Sequence, residues 1–135
     1  MNTVKVYGAE ITYKKEGIIH IHYTSEQMNL DNAKNVIQAI RKDCPWQLAP
    51  ILVSADPFSE HDDQAQKYLA GEEVMQYCTA IAVIAKNLAQ RIGVNFFIRI
   101  KKPSKPTRFF TSEKEALKWL GKYETISNSN FRMSS

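Results

Sequence analysis

A chain of 135 residues with 44% hydrophobic content fits one domain and is long enough to bury a core without disulfides or a structural metal. Its apolar runs, such as Ile81 to Ala85, fall well short of the roughly 20 residues of a membrane-spanning helix, and its first residues lack the charged-then-apolar layout of a signal peptide, so a cytoplasmic protein with no membrane span is expected. The net charge of +4, from 18 basic and 14 acidic residues that mostly interleave, gives no reason to expect nucleic acid, and Cys44 and Cys78 lack Cys-x-x-Cys spacing and read as small hydrophobes rather than a redox or metal pair.

Along the chain, Ala9, Ile11 and Tyr13 alternate with polar neighbours, Lys14 to Gly17 supplies a turn, and Ile19, Ile21 and Tyr23 alternate again, which predicts an antiparallel hairpin with one buried face. Val4 and Val6 either extend its first strand or form a separate one. Leu30, Ala33, Val36, Ile37 and Ile40 recur at helical steps behind an N-cap at Asn29, and Asp43-Cys44-Pro45 ends that helix. A more regular rhythm follows. Ile51 to Val53 is a short buried strand, and residues 62 to 73 form a helix with Ala65, Tyr68 and Leu69 inward. Ala80 to Ala85 is a second buried strand, followed by a segment from Asn87 with Leu88, Ile92 and Phe96 four apart. Arg108 to Phe110 is a third strand, and Ser112-x-x-Glu115 reads as a capping box for a last helix carrying Ala116, Leu117 and Leu120.

Three strand-then-helix units after a hairpin predict an α/β fold: a mixed sheet whose later strands run parallel, with about four helices packed on it. The expected domain covers residues 1–123. Residues 124–135 are polar and aperiodic and read as a flexible tail.

The stretch Gly93 to Ile100 is ambiguous, because its β-branched and aromatic residues also suit a strand. As a helix it carries Val94, Phe96, Phe97, Ile98 and Ile100 around most of its circumference, more than one side of a sheet covers. Either a partner surface or neighbouring elements must cover the surplus.

The residues Tyr68-Leu69-Ala70 with Glu72-Glu73, Asn95-Phe96-Phe97, and above all the run from Lys102 to Leu120 form the most specific pattern: a basic loop with prolines, a strand, then a capped helix ending in Ala-Leu-x-Trp-Leu. With the element order, this pattern resembles the STAS domain and its SpoIIAA-like relatives, over roughly Glu10 to Tyr123. The resemblance implies a STAS-like fold, a helical assignment for the ambiguous segment, and a role in protein recognition. STAS antagonists carry a phosphorylated serine in an Asp-Ser-Ser-Gly or Asp-Ser-x-Gly motif. Here the corresponding region, Pro57 to Asp63, lacks that motif. Its one hydroxyl, Ser59, is ringed by Asp56, Glu60, Asp62 and Asp63, which would repel a phosphate of about −2 charge.

Ligands in parallel sheets tend to sit beyond the carboxyl ends of the strands, which here point to Ser54 to Asp62, to Lys86 and Asn87, and to Thr111 and Ser112. The expected ligand- or partner-binding set is Asp56, Ser59, His61, Asp62, Asn87, Phe96, Phe97 and Thr111. The plainer alternative for the polar members is helix capping, which every helix start requires. His20 and His22 share the polar face of a strand without an obvious third metal ligand, and the acidic cluster at residues 56–63 lacks calcium-loop spacing, so no metal or cofactor is expected. No nucleophile elbow, glycine-rich phosphate loop, dinucleotide fingerprint or His-Glu-x-x-His is present, so no catalytic residues are assigned and no enzyme is expected.

The leading functional expectation is a non-catalytic module for protein–protein interaction in bacterial signalling, with a regulatory protein or a second copy as partner. The alternative is a small-ligand or lipid carrier in which Phe96, Phe97 and Phe109 line a cavity under the third helix. A third, weaker reading sets the basic segment from Arg99 to Arg108, five cations in ten residues, against an acidic surface, nucleic acid included, the plainer alternative being a solvated helix end.

Overall fold

A computed structural model describes residues 2–24 and 27–127. The element order is β1 (Asn2–Val6), β2 (Ala9–Lys14), β3 (Ile18–Tyr23), β4 (Gln27–Met28), α1 (Leu30–Asp43), β5 (Trp46–Ala55), β6 (Glu60–His61) and α2 (Asp63–Ala70). It continues with α3 (Glu72–Met75), β7 (Cys78–Ile84), α4 (Leu88–Phe96) with a π-helical continuation (Phe97–Lys101), β8 (Thr107–Phe110), α5 (Glu113–Leu120) and β9 (Ile126–Ser127).

The main sheet runs β1-β2-β3-β5-β7-β8, with β9 paired to β5. The first three strands are antiparallel, so the Val4 and Val6 segment is a separate strand, and β3, β5, β7 and β8 are parallel. The expected mixed α/β architecture is present. Because successive residues of a strand face opposite sides, the register fixes what each helix must cover. One row across the sheet is Val4, Ile11, Ile21, Val53, Val83 and Phe109, apolar from edge to edge. This face joins Val36, Ile37 and Ile40 of α1 and Val74 and Met75 of α3 in the larger core.

On the opposite face the row Thr3, Thr12, His20, Leu52, Ala82 changes character midway. Among the described residues, α5 covers its apolar half: Leu52, Ala80, Ala82 and Ile84 pack with Ala116, Trp119 and Leu120.

Three local expectations need correction. Pro50 sits inside β5, a ten-residue strand rather than a short one, and because proline has no N–H the ladder to β7 shifts register between Ala49 and Ile51. The helix expected over residues 62–73 breaks at Gly71, whose extended backbone separates α2 from α3 and lets Val74 and Met75 turn into the core. Ser112 caps α5 through Glu115 N–H at 3.3 Å, without a reciprocal bond from the Glu115 side chain. In the stretch expected as a tail, Thr125 Oγ1 donates to Gly17 O at 2.8 Å, and Ile126 pairs with Leu48. Residues 128–135 of that expected tail lie outside the described residues. No described helix is long and apolar enough to cross a membrane.

Candidate functional site

The ambiguous segment is helical, and it divides its apolar residues between two sides. Leu88, Ile92, Phe96 and Ile100 face outward with relative exposures of 65%, 60%, 46% and 58%. Ala89, Gly93, Val94 and Phe97 turn toward the sheet. Yet no residue of α4 or its π-helical continuation is buried, because those inner side chains meet a cavity instead of a packed core. The segment is fastened mainly at its ends. Asn87 Oδ1 caps α4 by accepting from Gln90 N–H at 2.7 Å, and Lys101 Nζ forms an ion pair with Asp63 at the start of α2. The π-helical turn ends at Lys102, which takes a left-handed conformation with φ of 52°.

The cavity has a volume of about 510 Å³, within the usual range for small-molecule sites. It lies over the carboxyl ends of β3, β5 and β7, where the topology of parallel sheets favours ligand sites. Its floor is hydrocarbon from Ile21, Val53 and Val83, its side walls include Leu69, Val74 and Met75, and its roof is α4 with Phe97. One wall differs. The loop after β5 is pinned by the parallel pairing of β6 with β4, and it presents Ser59 and His61 to the cavity, joined by Gln66 from α2.

In this polar corner Ser59 Oγ, His61 Nε2 and Gln66 Oε1 are all buried without a hydrogen-bond partner among the described residues. The His61 ring stacks edge-on against Tyr23 at 4.3 Å between centroids. Burial pushes its pKa down to about 4, against a weaker opposing pull from Asp62, so the ring is neutral near pH 7. Gln66 Nε2 donates to His61 O at 3.0 Å, which orients the amide and leaves its oxygen as a pure acceptor. An unpartnered buried polar atom costs about 1–3 kcal/mol, so each of the three calls for solvent or a ligand group.

The expected site residues therefore separate. Ser59, His61 and Phe97 come together at the cavity. Asp62 and Asn87 are helix caps, Asp62 accepting from Ala65 N–H at 2.8 Å, as the capping alternative has it. Phe96 lies outside, with Lys101 Nζ 5.8 Å from its ring centre. Thr111 is exposed beyond β8, and Phe109 is not among the lining residues. Gln66 is the member that sequence reasoning missed, since a glutamine on an amphipathic helix gives no signal of its own.

A second polar cluster lies on the other face of the sheet, and Asp56 belongs to it. His20 Nε2 and His22 Nδ1 both bond Ser54 Oγ, at 2.8 and 2.7 Å, and His22 Nε2 bonds Asp56 Oδ1 at 3.0 Å. The histidines are thus bound to side chains of β5 and its following turn rather than simply solvated as a pair. With one hydrogen to give, Ser54 donates to one ring and accepts from the other. Burial lowers the His20 pKa, with a smaller opposing pull from Glu113. Ser54 lies within β5, not on the sharp strand-to-helix turn that presents a catalytic serine beside free amides. Among the described residues no group of three or more His, Cys, Asp or Glu side chains is placed to hold a metal ion.

The basic segment is used piecemeal: Lys101 pairs with Asp63, Lys105 Nζ donates to Cys78 O at 2.5 Å, and the Arg108 guanidinium lies 5.2 Å from the Phe110 ring centre. Cys44 and Cys78 are both free thiols, and burial raises both pKa values, that of Cys78 to about 11.

Comparison with known proteins agrees with this architecture. A crystal structure of an uncharacterized protein from the DUF3478 family, from Shewanella loihica PV-4, described as having a SpoIIAA-like fold, superposes with a TM-score of 0.59. The match covers 83% of this chain and 91% of that one at 11% identity, so the likeness is one of fold. No curated protein matches the sequence. The STAS resemblance thus holds for the fold, whereas the family model that matches, over residues 12–124, is Domain of unknown function (DUF7793), and the chain belongs to that family.

Proposed function

We propose that the domain is a non-catalytic binding module that takes a small, largely apolar molecule into the cavity beneath α4. The observation that carries this reading is the pairing of about 510 Å³ of mainly hydrocarbon-walled space with three unpartnered polar atoms in one corner. A packing defect would be apolar and small, since protein interiors fill to crystal-like density. A binding site combines apolar walls with a few placed polar groups. A cytoplasmic setting and a part in bacterial signalling belong to the same proposal, supported by the SpoIIAA-like fold and the two unpaired thiols.

A second reading, docking of a regulatory protein or of a second copy, draws on the outward stripe of Leu88, Ile92, Phe96 and Ile100. Both readings use the same helix, from opposite sides. Native mass spectrometry of gently purified protein distinguishes them. The ligand reading predicts an adduct of a few hundred daltons that Val83→Trp, filling the floor, abolishes while Ile92→Glu retains it. A bare monomer mass, together with no binding of added apolar dye by the wild type, would defeat it. Loss of an assembly on Ile92→Glu would support docking instead.

A further inference from the structure

The polar corner also restricts the chemistry of what binds. Resting on the cavity reading above, we infer that the ligand carries an uncharged head that donates a hydrogen bond, as an aliphatic alcohol or primary amide does, and that fatty carboxylates are poor ligands.

Three observations lead there. First, Gln66 Nε2 is committed to His61 O at 3.0 Å, so the atom left without a partner among the described residues is the amide oxygen, which can only accept. A head with acceptors alone, such as an ether, ester oxygen or carboxylate, leaves it unpaired. Second, among the described lining residues there is no lysine or arginine. A buried anion would then lie without a countercharge, a costly way to bury a head group. Third, the other two atoms suit a neutral donor. Ser59 Oγ–H both gives and accepts, and Nε2 of a neutral imidazole does one or the other according to tautomer. A hydroxyl or amide can donate to Gln66 and keeps an acceptor for a second donor, with Val53, Val83 and Phe97 among the apolar walls for its chain.

The test is displacement of a neutral apolar dye, N-phenyl-1-naphthylamine, from the full-length protein at pH 7.5. The competitors share one chain: 1-octanol, octanamide, octanoate, octylammonium and methyl octyl ether. Octanol and octanamide should displace the dye about tenfold more tightly than the ether or octanoate, the worth of one hydrogen bond to an otherwise unpaired buried group. Gln66→Met, which keeps the side-chain length and removes the acceptor, should shrink the gap between alcohol and ether to within about threefold. Ser59→Ala is the companion variant, losing a hydroxyl with no change of backbone, and should weaken octanol more than ether. Octanoate or octylammonium binding as tightly as octanol would overturn the uncharged head, and an ether equal to octanol would overturn the donor. In either case dye binding itself would leave the cavity reading standing. If neither dye nor any competitor binds, the cavity reading falls and this inference with it.

Discussion

Helices α4 and α5 have nearly the same length, nine and eight residues, and each follows a strand of the parallel half of the sheet behind a side-chain cap. Their fates differ. Helix α5 buries Ala116, Trp119 and Leu120 against the sheet, whereas α4 buries nothing and holds its apolar residues partly over a cavity and partly toward solvent. What separates them is the side facing the sheet. Trp119 and Leu120 are large enough to reach Leu52 and Ala82, while α4 offers Ala89, Gly93 and Val94 there, and with Phe97 of its continuation they leave the space unfilled. An added Cβ at Gly93 would meet nothing within 4 Å. Amphipathic pattern alone thus does not distinguish a helix that closes a core from one that roofs a pocket. The volumes at its inner positions do.

The largest effect is expected from truncating each inner face. Leu120→Ala should lower unfolding free energy by about 2–5 kcal/mol in urea titration, as for a fully buried leucine, and Phe97→Ala by less than about 1.5 kcal/mol, since its neighbours are already spaced apart. Equal losses would mean that α4 is core like α5. Next comes acidification. His61 has a folded pKa near 4, below the 6.5 of the unfolded chain, so the unfolded state binds more protons in that window and stability falls as pH drops through it. The stability of wild type relative to His61→Leu should decline by about 3 kcal/mol between pH 6.5 and 4, then level off. A flat difference would mean that the His61 ring is solvated rather than walled into the polar corner. The smallest effect is a gain: Gly93→Ala should stabilise by about 0.5–1 kcal/mol through helix propensity, with no clash to offset it. Destabilisation there would show that the space beneath α4 is closed.

Much of the fold was legible because periodicity reports it directly. The hairpin alternates at two, α1 repeats at three and four, and Asn29, Asn87 and Ser112 stand where caps are needed. The misread details turn on single residues whose usual meaning is overridden by context, such as Pro50 inside a central strand. The candidate site was only partly legible. Ser59 and His61 follow a parallel strand, where such sites gather, but adjacent residues of a helix diverge by about 100°, so Phe96 and Phe97 could not both enter the cavity. Gln66 and the His20, His22, Ser54, Asp56 cluster depend on which strands and helices lie side by side. That order is set by tertiary packing, and no local pattern encodes it.

Nuclear magnetic resonance tests most directly whether α4 roofs a space able to admit a ligand. In an amide and methyl titration of the labelled protein with 1-octanol, saturable shifts should appear at Val53, Val83, Ala89, Gly93 and Val94, leaving Ala116 and Leu120 of α5 unmoved. Shifts confined to the outer stripe of Leu88, Ile92 and Ile100, or no saturable shift anywhere, would contradict it.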